Sequence, residues 1–136
     1  MKSPESPVSS IMTVNPVTLN PEQKLLEVKH IFEKNEFHHH IPVVSNNKLV
    51  GMISLIDFVR QLKGSSLDDA DSIYHEMTVN DIMTPNPRSI SPEAPIKVVA
   101  EMLAKGDIHA LTVSENEELK GIVSTADIIR FLLTQI

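Results

Sequence analysis

Apolar residues fall along this chain in two rhythms, helical and strand-like, and the same succession of rhythms occurs twice. Leu25, Val28, Ile31 and Phe32 recur at helical spacing, as do Ile96, Val99, Met102 and Leu103. That spacing predicts amphipathic helices over about 21–35 and 92–105. Each expected start has a capping side chain followed by proline, Asn20-Pro21 and Ser91-Pro92, the order favoured at a helix N-terminus. Gly106 is the expected stop of the second helix. Two apolar runs then flank a polar turn, 41–44 and 49–53 around Ser45-Asn46-Asn47, and again 111–113 and 119–123. Those predict β-hairpins. Val17-Thr18-Leu19 and Arg88-Ser89-Ile90 read as short β stretches ahead of the helices, and a final helix follows each hairpin through Leu62 and Leu133.

Each half therefore reads β-α-β-β-α, and the residues themselves repeat. At an offset of 71 positions Ile11, Met12, Thr13, Asn15, Pro16, Pro21, Glu22 and Val28 meet the same types at Ile82, Met83, Thr84, Asn86, Pro87, Pro92, Glu93 and Val99. At an offset of 70, His39, Val43, Leu49, Gly51, Ser54, Asp57 and Arg60 meet His109, Val113, Leu119, Gly121, Ser124, Asp127 and Arg130. One single-residue gap across a whole repeat is a duplication. The expected organisation is a loose, proline-punctuated N-terminus at 1–7, repeat one at 8–62, a polar acidic connector at 63–77 and repeat two at 78–136. Three strands and two helices leave a sheet face that one repeat cannot bury alone. The expected fold class is thus α+β, two repeats packed as a pseudo-two-fold pair.

Composition narrows the function classes. The chain has 136 residues, no cysteine, and a net charge of -6. Disulfides, thiolate metal sites and cysteine nucleophiles are excluded, and the acidic balance argues against nucleic acid as a partner. With no leader-like or spanning apolar run, the expectation is a cytoplasmic protein away from the membrane. Nor is there a nucleophile elbow, a P-loop lysine or a paired-carboxylate pattern, so an enzyme is not expected. His38-His39-His40 invites a metal reading, but strand alternation lets only His38 and His40 converge. No metal site is expected there.

The candidate chemistry lies in Gly51-x-x-Ser54-x-x-Asp57 and Gly121-x-x-Ser124-x-x-Asp127. Ser-x-x-Asp ahead of an apolar run is first of all a capping box. It also follows a strand directly, which opens a helix N-terminus at a sheet edge. Free amides and the helix dipole there favour an anion such as phosphate, and a carboxylate one turn on can accept from vicinal ribose hydroxyls. Capping and ligand binding can coexist.

In their order and duplication, three pieces resemble the cystathionine-β-synthase (CBS) domain pair. They are Ile-Met-Thr at 11–13 and 82–84, His-x-Ile-Pro-Val-Val at 39–44, and the two Gly-x-x-Ser-x-x-Asp turns. The resemblance covers about 8–133 and implies two clefts for adenosine-containing ligands. It implies ribose-binding carboxylates at Asp57 and Asp127, and phosphate or ribose contacts at Ser54, Ser124 and Thr125. His39, His40, Ile41 and Pro42 would line an adenine and phosphate pocket, with Thr13, Thr18 and Thr84 on the approach. Repeat two departs from this, reading His109-Ala110 without the proline, so its corner has one basic residue fewer. The expected function is a regulatory module that senses AMP, ADP, ATP or S-adenosylmethionine and modulates a separate enzyme or transporter, as a homodimer. The alternative is a ligand-free dimerisation scaffold whose Ser and Asp only cap helices.

Overall fold

The computed structural model describes residues 2–34, 39–62 and 67–136, with backbone only for 67–71. In chain order the elements are β1 Thr13–Val14, α1 Leu25–Lys34, β2 His40–Ser45, β3 Lys48–Ser54, α2 Leu55–Leu62, α3 Leu67–Glu76 and α4 Val79–Ile82. They continue with β4 Thr84–Pro85, β5 Ser89–Ile90, α5 Ile96–Ala104, β6 Ala110–Glu115, β7 Glu118–Ser124 and α6 Thr125–Leu133. Helices are interspersed with antiparallel hairpins, which is the mixed α+β class expected.

The chain divides into two compact units that do not coincide with the repeats. A middle unit is Val17–Asn86, and a split unit joins the residues before Val17 to Pro87–Ile136. Each is built on one hairpin. In the middle unit β2 and β3 pair antiparallel from His40↔Ser54 to Ser45↔Lys48, and β4 adds to β3. In the split unit β6 and β7 pair from Ala110↔Ser124 to Glu115↔Glu118, with β1 on β7 and β5 parallel to β6. Both hairpins turn through two residues at positive φ, Asn46-Asn47 and Asn116-Glu117, the geometry whose twist matches that of the strands. The expected turn at Ser45-Asn46-Asn47 is therefore a two-residue turn, with Ser45 already in the strand.

Strand alternation assigns the buried face. Ile41, Val43 and Ile53 pack with Leu25, Val28 and Phe58 in the middle unit. Leu111, Val113 and Val123 pack with Ile96, Val99, Leu103, Ile128 and Phe131 in the split unit. Helical and strand spacings thus converge on one core per unit.

The helix starts differ from the sequence reading. Asn20-Pro21 and Ser91-Pro92 open turns: the amides of Gln23 and Ala94 donate to the carbonyls of Asn20 and Ser91, at 3.3 and 3.0 Å. The Asn20 and Ser91 side chains accept from Glu22 and Glu93 at 3.1 Å each. Proline after Asn or Ser suits the second position of such a turn as well as the first of a helix, and α1 and α5 begin four residues later. Backbone partners decide the matter. Val79 and Asn80 donate to the carbonyls of Gln23 and Pro21, and the Met77 carbonyl accepts from Leu25 (2.8, 2.9 and 3.1 Å). Val8 and Ser9 donate to Ala94 and Pro92, and Ile96 donates to Ser6 (2.7, 3.1 and 2.9 Å). These sets correspond residue for residue, so each repeat's lead-in holds the helix start of the other repeat.

That exchange accounts for the units. It also anchors the stretch expected to be loose, since Lys97 donates to the Pro4 carbonyl at 2.8 Å and Pro7 bridges Pro95. The expected connector contains α3, whose Ile73 and Tyr74, with the following Met77, pack on the middle core. Its apolar residues are too sparse among acidic ones for a helical stripe to stand out.

Candidate functional site

The repeated glycine has a steric reason. A Cβ on Gly121 would lie 2.6 Å from the Thr13 carbonyl oxygen and 2.7 Å from Met12 Sδ. On Gly51 it would meet the Met83 side chain, with the Thr84 carbonyl oxygen at 3.1 Å. The lead-in strand of each unit therefore crosses its hairpin at the glycine, and this places Thr13 opposite Ile122 and Thr84 opposite Met52.

Register then collects the candidates on one sheet face. Directly paired residues share a face, and so do residues two apart along a strand. In the middle unit His40, Pro42, Met52, Ser54 and Thr84 lie on the face opposite the core. In the split unit the set is Ala110, Thr112, Ile122, Ser124 and Thr13. Ile41 is on the other face and fully buried in the core, which leaves only its backbone for a ligand. His39, Thr18 and His109 are exposed; His38 lies outside the described residues. Thr112, unremarked in the sequence, is buried on this face with its hydroxyl donating to the Arg88 carbonyl at 3.0 Å, a structural role within β5 and β6.

At the helix starts, α2 and α6 follow their strands without a linker, and their amides are less free than the sequence suggests. Leu55 and Thr125 donate to the carbonyls of His39 and His109 at 2.8 and 3.0 Å. Asp57 and Asp127 donate to the hydroxyls of Ser54 and Ser124 at 3.0 and 3.2 Å. Two of the first three amides in each helix are thus satisfied internally. The Thr125 hydroxyl likewise donates to the His109 carbonyl at 3.3 Å.

The two carboxylates differ. Asp127 Oδ2 accepts from the Ser124 amide at 2.8 Å and its hydroxyl at 3.1 Å, while Oδ1 takes Arg130 at 2.7 Å. Its side chain is 12% exposed. Asp57 is 34% exposed, and its ion pair with Arg60 is 3.9 Å long. The same sequence motif thus yields a closed capping box in one unit and a more open carboxylate in the other. Among the described residues no group of three metal-type side chains converges, and no helix is long and apolar enough to cross a membrane.

A hairpin crossed at a glycine, with Ser-x-x-Asp at the strand end, occurs in both units. The CBS domain family profile matches residues 8–64 and 79–134, and the chain belongs to that family. It is similar to the CBS domain pair of protein MJ0100, solved in complex with 5'-methylthioadenosine and S-adenosyl-L-methionine. The two are 26% identical, with a TM-score of 0.81, covering 98% of this chain and all (100%) of that one. The fold also matches CBSX2 of Arabidopsis thaliana, solved with AMP, at TM-score 0.81 and 23% identity over 96% of this chain and 98% of that one. In sequence it is 26% identical over 135 residues to protein MJ1225 of Methanocaldococcus jannaschii, covering 91% of this chain and 46% of that protein. The chain spans less than half the length of the curated relatives it matches.

Proposed function

We propose that this chain is a regulatory CBS pair that binds an adenosine-containing ligand and passes that binding on to a separate protein. The observation carrying the proposal is the Asp57 carboxylate, one turn into α2 and beside Ser54, which among the described residues has no partner closer than Arg60 at 3.9 Å. A carboxylate in that position can accept from two ribose hydroxyls. His40, Pro42 and Thr84 on the adjoining sheet face give polar and flat apolar contacts beside it. The complex formed by MJ0100, whose pair matches this chain end to end, supports the ligand class. Ser54, Asp57, His39, His40, Pro42, Thr18 and Thr84 are the proposed contacts of the middle unit, with the Ile41 backbone. Thr13, His109, Ala110, Ser124, Thr125 and Asp127 are those of the split unit.

Ligand binding would regulate by favouring one conformation, by an amount set by its affinity difference between the two. Some longer relatives are enzymes, which supports an enzyme as the regulated partner and catalysis outside this chain. The exposed Ile56 and Val59 of α2, and Ile129, Leu132 and Leu133 of α6, support self-association into a homodimer. A second reading has its own support: the closed box of Asp127 favours capping alone in the split unit.

Thermal melting with AMP, ADP, ATP, S-adenosylmethionine and GTP tests the reading. A ligand at 100 times its Kd stabilises by about 2.7 kcal/mol, so at least one adenine compound should raise Tm by several degrees while GTP does less. Asp57→Ala should remove most of that rise. No rise with any adenine compound overturns the sensor reading.

A further inference from the structure

A cavity of about 250 Å³ opens in the split unit beside α6, lined among others by Lys2, Ser10, Asp127, Arg130 and Thr134. Asp127 and Arg130 of α6 and Thr134, which caps its C-terminus, share one helical stripe. Lys2 reaches the cavity because the N-terminal strap is docked: Gln135 Nε2 donates to the Lys2 carbonyl at 3.2 Å, beyond the Lys97–Pro4 bond already described. Both rim hydroxyls are spent as donors, Ser10 on the Pro7 carbonyl at 2.7 Å and Thr134 on the Phe131 carbonyl at 2.6 Å. What remains to meet a ligand is the Lys2 ammonium and the guanidinium N–H groups that Arg130 does not give to Asp127. A guanidinium has about five. The site therefore sets two cations against one carboxylate.

The corresponding place in the middle unit has a different lining. The repeat offsets put Asp81 at the position of Ser10, and Ile73, packed on the core, at that of Lys2. Arg60 pairs there with Asp57 at 3.9 Å, and the cation beside Asp81 is Lys24.

We propose that the split-unit cavity binds a phosphate-type oxyanion through Lys2 and Arg130, and that the middle unit has no counterpart. The cavity is smaller than pockets for whole ligands, which run from roughly 300 to 1,000 Å³, so it takes the phosphate group and not an entire nucleotide. Arg130, already oriented by Asp127, presents the planar fork that suits phosphate, and Lys2 adds a point charge. The inference does not depend on the nucleotide reading.

The test is a titration of ¹H–¹⁵N spectra of the full chain with sodium phosphate against sodium chloride at matched ionic strength, with adenosine as a separate arm. The expected result is saturable phosphate shifts at Ser10, Met12 and Thr134. Lys2→Met should weaken the apparent affinity at least threefold with Tm unchanged. Shifts no larger than those with chloride, equal affinity in Lys2→Met, or saturation centred on 79–83 would each overturn it. Adenosine shifts without phosphate shifts overturn this site and leave the nucleotide reading standing; the converse upholds the site and counts against a nucleoside pocket.

Discussion

Removing each aspartate in turn should separate its capping role from its availability to a ligand. In Asp127→Ala the Ser124 amide, half-buried at the start of α6, loses its 2.8 Å acceptor, its hydroxyl loses a 3.1 Å partner, and Arg130 loses a 2.7 Å ion pair. The Ser124 hydroxyl still caps the amide of residue 127, but leaving the half-buried Ser124 amide without its acceptor costs about 1–2 kcal/mol. The exposed arginine pair contributes about 0.3–0.5 kcal/mol. The sum is roughly 2 kcal/mol. In Asp57→Ala the only pairing lost among the described residues is the 3.9 Å contact with an exposed Arg60, worth less than about 0.5 kcal/mol. Both variants lose the same favourable position at a helix N-terminus, so that contribution cancels between them. Urea unfolding of the ligand-free protein should show Asp127→Ala less stable than Asp57→Ala by about 1.5–2 kcal/mol, with equal slopes. Equal losses, or the larger loss at Asp57, would refute the assignment of a closed box to one unit and an open carboxylate to the other.

Other consequences follow from the same geometry. Gly121→Ala forces a Cβ against the Thr13 carbonyl, whereas in Gly51→Ala the tightest neighbour is the movable end of Met83. Overpacking costs about 1–3 kcal/mol, so denaturant midpoints should fall in both and further in Gly121→Ala; an equal or reversed order contradicts the crossing geometry. Asp81 accepts from the Thr78 amide at 2.9 Å and its hydroxyl at 3.1 Å. Those bonds hold its carboxyl below the ordinary value of 3.8. A depressed folded-state pKa contributes stability above the unfolded value that is lost as pH falls through the folded one. Melting curves of Asp81→Asn should therefore lose less stability than wild type on acidification below about pH 4, and identical acid slopes would remove the linkage.

Much of the fold was legible because two periodicities repeat in register. The hairpins, the two amphipathic helices and the apolar faces at Leu25, Val28, Ile96 and Val99 need only local pattern. What the pattern hides is which segment completes which unit. Hydrogen bonds from 77–80 to 21–25, and from 6–9 to 92–96, are long-range and carried by backbone atoms, so no side-chain rhythm records them. The same bonds turned Asn20-Pro21 and Ser91-Pro92 from helix starts into turns. Composition likewise hid α3, whose packing residues stand among aspartates. At the candidate site the Ser-x-x-Asp spacing was visible, and so was the drift from His40 to Ala110. The difference between the two carboxylates was not, because it lies in distances of an ångström between identical residue types. The glycine's purpose was equally hidden, as it depends on a strand arriving from elsewhere in the chain.

Titration calorimetry of the wild-type chain with AMP, ATP and S-adenosylmethionine, alongside Asp57→Ala, tests the ligand-sensing claim most directly. The account predicts saturable heat with at least one of them and an affinity at least tenfold weaker in Asp57→Ala, a loss of about 1.4 kcal/mol. Absence of saturable binding for all three, or unchanged affinity in the variant, would contradict it.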